Sequence, residues 1–336
     1  HIQTKLTLEY TRKIKKILRQ LSTANFKKLN SEQYEVLKTI RSSSAKIPIT
    51  KKARKRFFRR LSTRLRSQTG QRNMVYQGML RSLPYFKFLN QTISSFRIPK
   101  ELLAISFLES SFNPKAISKA DAVGVWQFMR YTNNLIMPKI NPNLDTRRNP
   151  IISSISAFHL LKENRMILRR WDLAVTAYNS GTRNLINARK RYGKTNPLSY
   201  VLKNYKHASL GFASKNFYSE FLALTRVLAY KNLIFPLSGH DDLTKTFNEK
   251  HGIGLYLSKC SIRPKKFFKL LKKSSPKIEE LNSHFIRPNK IYPRGSLIVS
   301  DVKLTSKRYY RLSIKQIKKR FPKHYYKLIR NKKCRR

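Results

Sequence analysis

Pro99-Lys100-Glu101-Leu102-Leu103-Ala104-Ile105-Ser106-Phe107-Leu108-Glu109-Ser110-Ser111-Phe112-Asn113-Pro114 is the stretch on which the fold and the chemistry turn. Pro99 suits a first helical position, and Leu102, Leu103, Ile105, Phe107 and Leu108 make a largely buried helix that ends near Glu109. No Lys or Arg lies between Glu101 and Pro114, in a chain that carries 73 of them. A carboxyl at a helix C-terminus among apolar neighbours has its charged form disfavoured by desolvation and by the negative end of the helix dipole. Both raise its pKa, as a general acid working near neutral pH requires. From this stretch alone, a capping or salt-bridged glutamate fits slightly better.

Around it the chain reads as a helical domain over residues 70–240. Asn149-Pro150 is a cap followed by a first-turn proline, and Ile151, Ile152, Ile155, Phe158 and Leu161 recur at helical spacing. Asp172 can cap a helix over Leu173–Ser180 that Gly181 closes, and Ser214 precedes Phe217, Phe221, Leu222, Leu224 and Leu228. Long loops are expected over 113–124 and 137–148. Residues 1–69 predict two or three amphipathic basic helices, broken at Ser42-Ser43-Ser44 and Pro48. Residues 243–301 predict a small α+β module, with a helix over Pro264–Leu271, a turn over 278–281 and a β-branched run Ser296-Leu297-Ile298-Val299. Residues 302–336 read as a basic tail with helical leanings over 314–320. The fold class is therefore mainly α.

The 336 residues carry 16 Asp plus Glu against those 73 cations, a net charge of +57. With 40% hydrophobic residues, 19 Phe and 17 Tyr, the chain can build packed cores, so the charge sits outside something folded and calls for a polyanionic partner. Nucleic acid, anionic lipid and an anionic cell wall all qualify. The excess is concentrated at the ends: residues 1–69 hold 20 Lys or Arg and three acids, and the last 36 hold 15 and one. No Cys/His spacing resembles a metal site, so no metal or cofactor is expected; Cys260 and Cys334 could pair in an oxidising compartment, but two free thiols is the preferred reading, with Cys334 in a basic tail. There is no apolar run of about 20 residues to span a membrane. The chain begins at His1, which is expected if a leader has been removed or the chain is a fragment.

Three short motifs reverse the weighting of Glu109. Glu109-Ser110, then Gly124-Val125-Trp126-Gln127-Phe128-Met129, then Ala177-Tyr178-Asn179-Ser180-Gly181 resemble, in order and spacing, the motifs of the family 1 lytic transglycosylases, and most closely their membrane-bound type D branch. In that family they read Glu-Ser, Gly-Leu-Trp-Gln-Phe-Met and Ala-Tyr-Asn-Ala-Gly. Flanks agree at Ser111-Phe112-Asn113-Pro114, at Arg148-Asn149-Pro150 and over 216–223. The resemblance covers residues 70–228 and implies a goose-lysozyme-like helical catalytic domain that cleaves the N-acetylmuramic acid to N-acetylglucosamine bond of peptidoglycan.

What the resemblance implies for single residues is specific. Glu109 would be the catalytic acid and then base, with the muramyl C6 hydroxyl closing a 1,6-anhydro ring. Ser110 would hydrogen-bond near the carboxyl, or else only close the helix turn. Gln127 and Asn179 would meet N-acetyl and hydroxyl groups. Tyr178 would shape the groove, and Trp126 reads equally as core or as a sugar platform. A tyrosine that family members bring from the later helix falls here on Phe217, with Tyr218 beside it as the replacement contact. Most glycoside hydrolases use two carboxylates. The nearest acids here are Glu101 and Asp121, and Asp121 reads as a loop-turn residue; a second acid facing Glu109 would instead favour hydrolysis.

A weaker likeness, over Ile278-Glu279-Glu280-Leu281-Asn282, Ile286-Arg287-Pro288 and Tyr292–Val299, is to the second half of a divergent LysM repeat, a module that binds N-acetylglucosamine polymers. The whole reading is a peptidoglycan lytic transglycosylase of the periplasm or cell envelope, anchored through a removed leader. Its partners are glycan strands and anionic envelope polymers or a lipid surface, with no specific nucleic acid. A non-catalytic wall-binding protein and a hydrolytic goose-type lysozyme are the rivals.

Overall fold

A computed structural model describes residues 2–43, 45–65, 71–138, 140–192, 195–235, 252–304, 307–319 and 327–328. The expected junction near residues 240–243, residues 320–326 and 329–336 of the basic tail, and with them Cys334, lie outside the described residues. Two compact units are present, His1–Arg72 and Asn73–Arg336.

The first unit holds α1 (Ile2–Leu21), α2 (Ser31–Ser42) and α3 (Lys51–Arg64). Asn30 and Gln33 form a reciprocal capping box that starts α2. Ile17, Leu18, Leu21, Leu37 and Phe58 form its small core, with Phe26 packed edge-on to Phe58. The Arg54 guanidinium lies 4.9 Å from the Phe26 ring centroid, so a cation covers the core without entering it. Lys51, Lys52, Lys55, Arg56, Arg59 and Arg60 all stay exposed on α3.

The second unit is mainly helical. Its elements are α4 (Arg72–Phe96), a 3-10 turn (Lys100–Leu103) running into α5 (Ala104–Ser110), α6 (Arg130–Ile136), α7 (Pro150–Leu168), α8 (Trp171–Ser180), α9 (Thr182–Tyr192), α10 (Leu198–Asn204), α11 (Phe212–Ala229) and α12 (Lys231–Ile234). Helix α7 is the central post. Its first nine residues are all buried, so this half shows no polar face, and only the second half exposes a side, at Lys162, Met166 and Ile167. Asn149 starts it by accepting from the N–H groups of Ile151 and Ile152, the cap the sequence predicts. Around α7 gather Phe88, Leu89, Ile93 and Phe96 of α4, Ile105 and Phe107 of α5, Val175 of α8 and Phe217 and Phe221 of α11. Asp172 lies inside the first turn of α8 rather than before it, accepting from the Leu173 N–H and the Arg170 guanidinium.

Strand β1 (Gly254–Ser258), helix α13 (Pro264–Leu271), a 3-10 turn (Glu280–Asn282), strands β2 (Leu297–Ser300) and β3 (Tyr309–Arg311) and helix α14 (Ile314–Ile317) complete the unit. The sheet is antiparallel in the order β2-β1-β3, with Leu255 opposite Val299 and Leu257 opposite both Leu297 and Tyr310. Successive strand residues face opposite ways. Leu255, Leu257, Leu297 and Val299 enter the core of the helical body, while Tyr256 and Ile298 join Phe267, Phe268, Phe285 and Tyr292 in a second core beneath. The sheet is therefore an inner layer, and the described residues from Ile253 to Ile317 share their core with α4, α5, α7 and α11. Cys260 is disulfide-bonded, which corrects the free-thiol expectation for it.

Candidate active site

Glu109 occupies the last turn of α5, and the helix stops abruptly behind it. Ser111 and Phe112 both adopt left-handed backbone conformations, φ +50° and +53°, uncommon for side chains with a Cβ. The Ser111 N–H returns to the Phe107 carbonyl at 2.7 Å and the Phe112 N–H to the Ser106 carbonyl at 3.1 Å. Helix α4 holds this turn from outside: Arg81 Nη2 donates to the Ser111 carbonyl at 2.7 Å. A Cβ on Gly78 would stand 2.6 Å from that carbonyl oxygen, so only glycine permits the approach.

The Glu109 carboxyl is half-buried, and among the described residues no Lys or Arg pairs with it. Burial pushes its pKa up to about 7. It therefore holds its proton to near neutral pH and can release it there. Tyr178 of α8 lies close enough that a Glu109 charge, added to burial, holds the phenol well above its ordinary range.

The second motif forms a tight loop over 116–128, closed by bridges between Ile117 and Val123 and between Val123 and Phe128. Side-chain donors hold several of its carbonyls. The Ser110 hydroxyl donates to Val125 O at 3.0 Å, the Tyr178 hydroxyl to Trp126 O at 2.7 Å and Gln127 Nε2 to Gly124 O at 2.9 Å. Arg147 Nη1 reaches both ends of the segment, Asp121 O at 2.7 Å and Phe128 O at 3.1 Å. The Arg147 side chain is buried and takes Asp145 in a two-point fork, Nε to Oδ1 at 3.0 Å and Nη2 to Oδ2 at 2.9 Å. Gly124 sits at φ +80° directly under the Arg147 carbonyl.

This geometry distributes the expected site residues. Ser110 and Tyr178 meet at the neighbouring carbonyls of Val125 and Trp126, with Glu109 next to Ser110 in the chain and within electrostatic reach of Tyr178. Ser110 bonds to the loop and, as acceptor, to the Asn113 N–H, so its hydroxyl is engaged away from the Glu109 carboxyl. Gln127 turns its amide nitrogen inward to the loop. Asn179 is exposed; its Oδ1 accepts from the Ser214 hydroxyl at 2.7 Å, leaving Nδ2 to face outward chemistry. Trp126 is core: fully buried, with its indole N–H on the Ser154 hydroxyl at 2.8 Å. Tyr218 stacks on Phe221 and feels the charges of Asp172 and Arg170, so it stands by that ion pair. Phe217 fills the core. Asp121 is a turn residue, φ +60°, with its exposed carboxylate 3.6 Å from Arg147 Nη1. The reading of the sequence missed Asp145 and Arg147. The scarcity of acids that singled out Glu109 would also have singled out Asp145; nothing in the sequence distinguishes Arg147 among so many cations.

Residues 90–201 match the family model described as the transglycosylase SLT domain, a span from Glu109 to Asn179 and beyond. Membrane-bound lytic murein transglycosylase D of Escherichia coli K12 is 29% identical over 158 residues, covering 47% of this chain and 34% of that protein. The same enzyme of Escherichia coli O6:H1 matches to the same extent. The chain thus spans about a third of the length of these relatives. The helical body accordingly has the lysozyme-like architecture of that domain. Among the described residues, no helix is long and apolar enough to cross a membrane, and no group of three or more His, Cys, Asp or Glu could hold a metal ion.

Proposed function

We propose that this protein is a peptidoglycan lytic transglycosylase of the type D branch that cuts the β-1,4 bond between N-acetylmuramic acid and N-acetylglucosamine. The observation that carries the reading is the half-buried carboxyl of Glu109, protonated to about pH 7 and without a cationic partner among the described residues, inside a segment that matches the transglycosylase domain. Protonated Glu109 gives its proton to the glycosidic oxygen as the C1–O bond breaks, and N-acetylglucosamine leaves with a free 4-hydroxyl. The Glu109 carboxylate then takes the C6 hydroxyl proton while O6 bonds to C1. Atoms balance without water, and Glu109 ends protonated as it began. One carboxyl performs both transfers, in keeping with Asp121 being occupied at the loop surface. Asn179, Gln127 and Tyr178 are assigned to the glycan, and Tyr218 to a more distant part of the groove.

The test is the mass of the muropeptides released from purified sacculi. Anhydro ends, lighter by one water than hydrolysed ends, are expected. Hydrated ends would make the protein a hydrolytic lysozyme, and binding with no soluble product would make it a wall-binding protein.

The described part of residues 243–301 we read as LysM-like, since β1, α13, a second turn and the antiparallel β2 follow one another as in that repeat. We place the protein in the cell envelope, where the cations of the first unit would hold it on anionic polymers or lipid. Raising salt from about 0.1 M to about 1 M shortens the screening length from about 10 Å to about 3 Å. Binding to sacculi is expected to weaken at least tenfold over that range, and less steeply once Lys55, Arg56, Arg59 and Arg60 are changed to Gln. A salt-independent affinity would remove this role from the charge.

A further inference from the structure

We propose that the C-terminal module is a positioning element of the active site, and that His284 is the residue through which it sets the loop beside Glu109. The inference rests on the transglycosylase reading for its kinetic part only. Residues 281–286 lie alongside residues 143–149 as a short antiparallel partner, with Leu144 bridged to Phe285. The Asp145 N–H donates to the His284 carbonyl at 2.9 Å and the Ile286 N–H to the Asn143 carbonyl at 2.8 Å. The Ser283 hydroxyl donates to the Arg148 carbonyl at 2.9 Å, and Asn149 Nδ2 to the Leu281 carbonyl at 2.7 Å.

The His284 ring is the buried pin of this seam. Asn149 Nδ2 has only hydrogens to offer, so His284 Nδ1, at 3.0 Å, is the acceptor. His284 Nε2 must then carry the proton and donate to the Leu297 carbonyl of β2, also at 3.0 Å. One neutral imidazole thus joins the cap of α7 to the central sheet. Burial pushes its pKa down to about 4, so this tautomer persists over the pH range in which Glu109 titrates.

The chain of contact from His284 to the catalytic carboxyl is short. The His284 carbonyl fixes Asp145; Asp145 fixes the Arg147 fork; Arg147 holds Asp121 O and Phe128 O; between them Val125 O and Trp126 O receive Ser110 and Tyr178, which flank Glu109. From His284 to Ser110 and Tyr178 the contacts between segments are hydrogen bonds among buried or partly buried groups, where losing a partner leaves a desolvated donor or acceptor, and Glu109 is reached from there as the neighbour of Ser110 and through its charge on Tyr178. A loosened seam therefore moves the loop rather than merely exposing it.

The test uses the full chain with His284→Leu and His284→Gln. Leucine fills the space and makes neither bond; the glutamine amide can donate toward Leu297. Two quantities are measured: kcat on soluble glycan strands, and the Glu109 carboxyl titration followed by carbon-13 NMR. For His284→Leu, kcat is expected to fall about tenfold or more at a temperature well below its melting midpoint, and the Glu109 pKa to drop from about 7 toward the ordinary carboxylate range as water reaches it. His284→Gln is expected to restore most of both. A lowered midpoint with kcat and the Glu109 titration unchanged would overturn the proposal and leave the module a stabiliser. Should His284→Leu fail to fold, Ser283→Ala, which removes one bond to the Arg148 carbonyl, must shift the Glu109 titration in the same direction, and no shift overturns the proposal. If the wild type proves inactive on glycan, the titration still decides the coupling, so the two readings fail separately.

Discussion

Glu109→Gln is expected to lower the release of anhydro-muropeptides by a factor of about 10²–10⁴, the usual worth of a positioned general acid, while making the protein more stable at alkaline pH. The two effects share one cause. In the unfolded chain the carboxyl titrates near 4.5, and in the fold near 7, because ionising it among apolar groups is costly. The folded state thus holds the proton more tightly. Below about pH 4.5 the carboxyl is neutral in both states and contributes no penalty. Between about pH 4.5 and 7 the unfolded chain ionises it while the fold keeps the proton, so stability is lost progressively over that window, and the loss, on the order of 3 kcal/mol, is complete once the native carboxyl ionises above 7. Glutamine keeps the shape and never ionises. Its melting midpoint should therefore equal that of the wild type near pH 4.5 and exceed it at pH 8.5, by several degrees. Equal midpoints at both pH values would show that Glu109 is solvated in the fold. The wild-type rate should also fall as pH rises past about 7, where the acid form disappears.

Gly124→Ala is the largest expected structural loss. A Cβ there would lie 2.0 Å from the Arg147 carbonyl oxygen, and the backbone at φ +80° is one that alanine adopts only with strain. Overlap with backbone has no side chain to give way, so the loop or α7 must shift. Overpacking and strain together cost on the order of 4 kcal/mol, a large share of the ~5–15 kcal/mol that holds a typical domain together. Gly211→Ala is the control: nothing lies within 4 Å of its Cβ position, and α11 starts there with φ −70°. It should change stability by less than about 1 kcal/mol. Urea denaturation separates the two, and a Gly124→Ala protein as stable and active as wild type would mean that the loop yields freely.

Much of the helical framework was legible because its signals are local. Asn149-Pro150 marks a helix start by chemistry confined to a few residues, and the helix follows. The Glu109 environment was legible through an absence of cations over a short run. Strand β1 was not, since both of its faces are buried and Gly254-Leu255-Tyr256-Leu257-Ser258 shows no alternation of polar and apolar residues. The roles of Ser110 and Gln127 were only half legible. Their residue types suit a sugar as well as a carbonyl, and which they meet depends on how the loop over 116–128 closes. Arg147 and His284 depend on partners brought from elsewhere in the chain, and such pairings leave no mark in a single sequence.

The bond between Asn149 and His284 joins residues 135 positions apart, and Ile317 of α14 belongs to the same core as α5 and α7. Closing so long a loop is slow relative to forming the helices it connects. During synthesis, then, the helices around Glu109 can form early, but their surroundings are completed only after residue 317 has emerged. A chain released short of its C-terminal module would leave the Asn149 cap without its His284 partner and the core around α5 and α7 without the cover of Leu255, Leu257 and Val299.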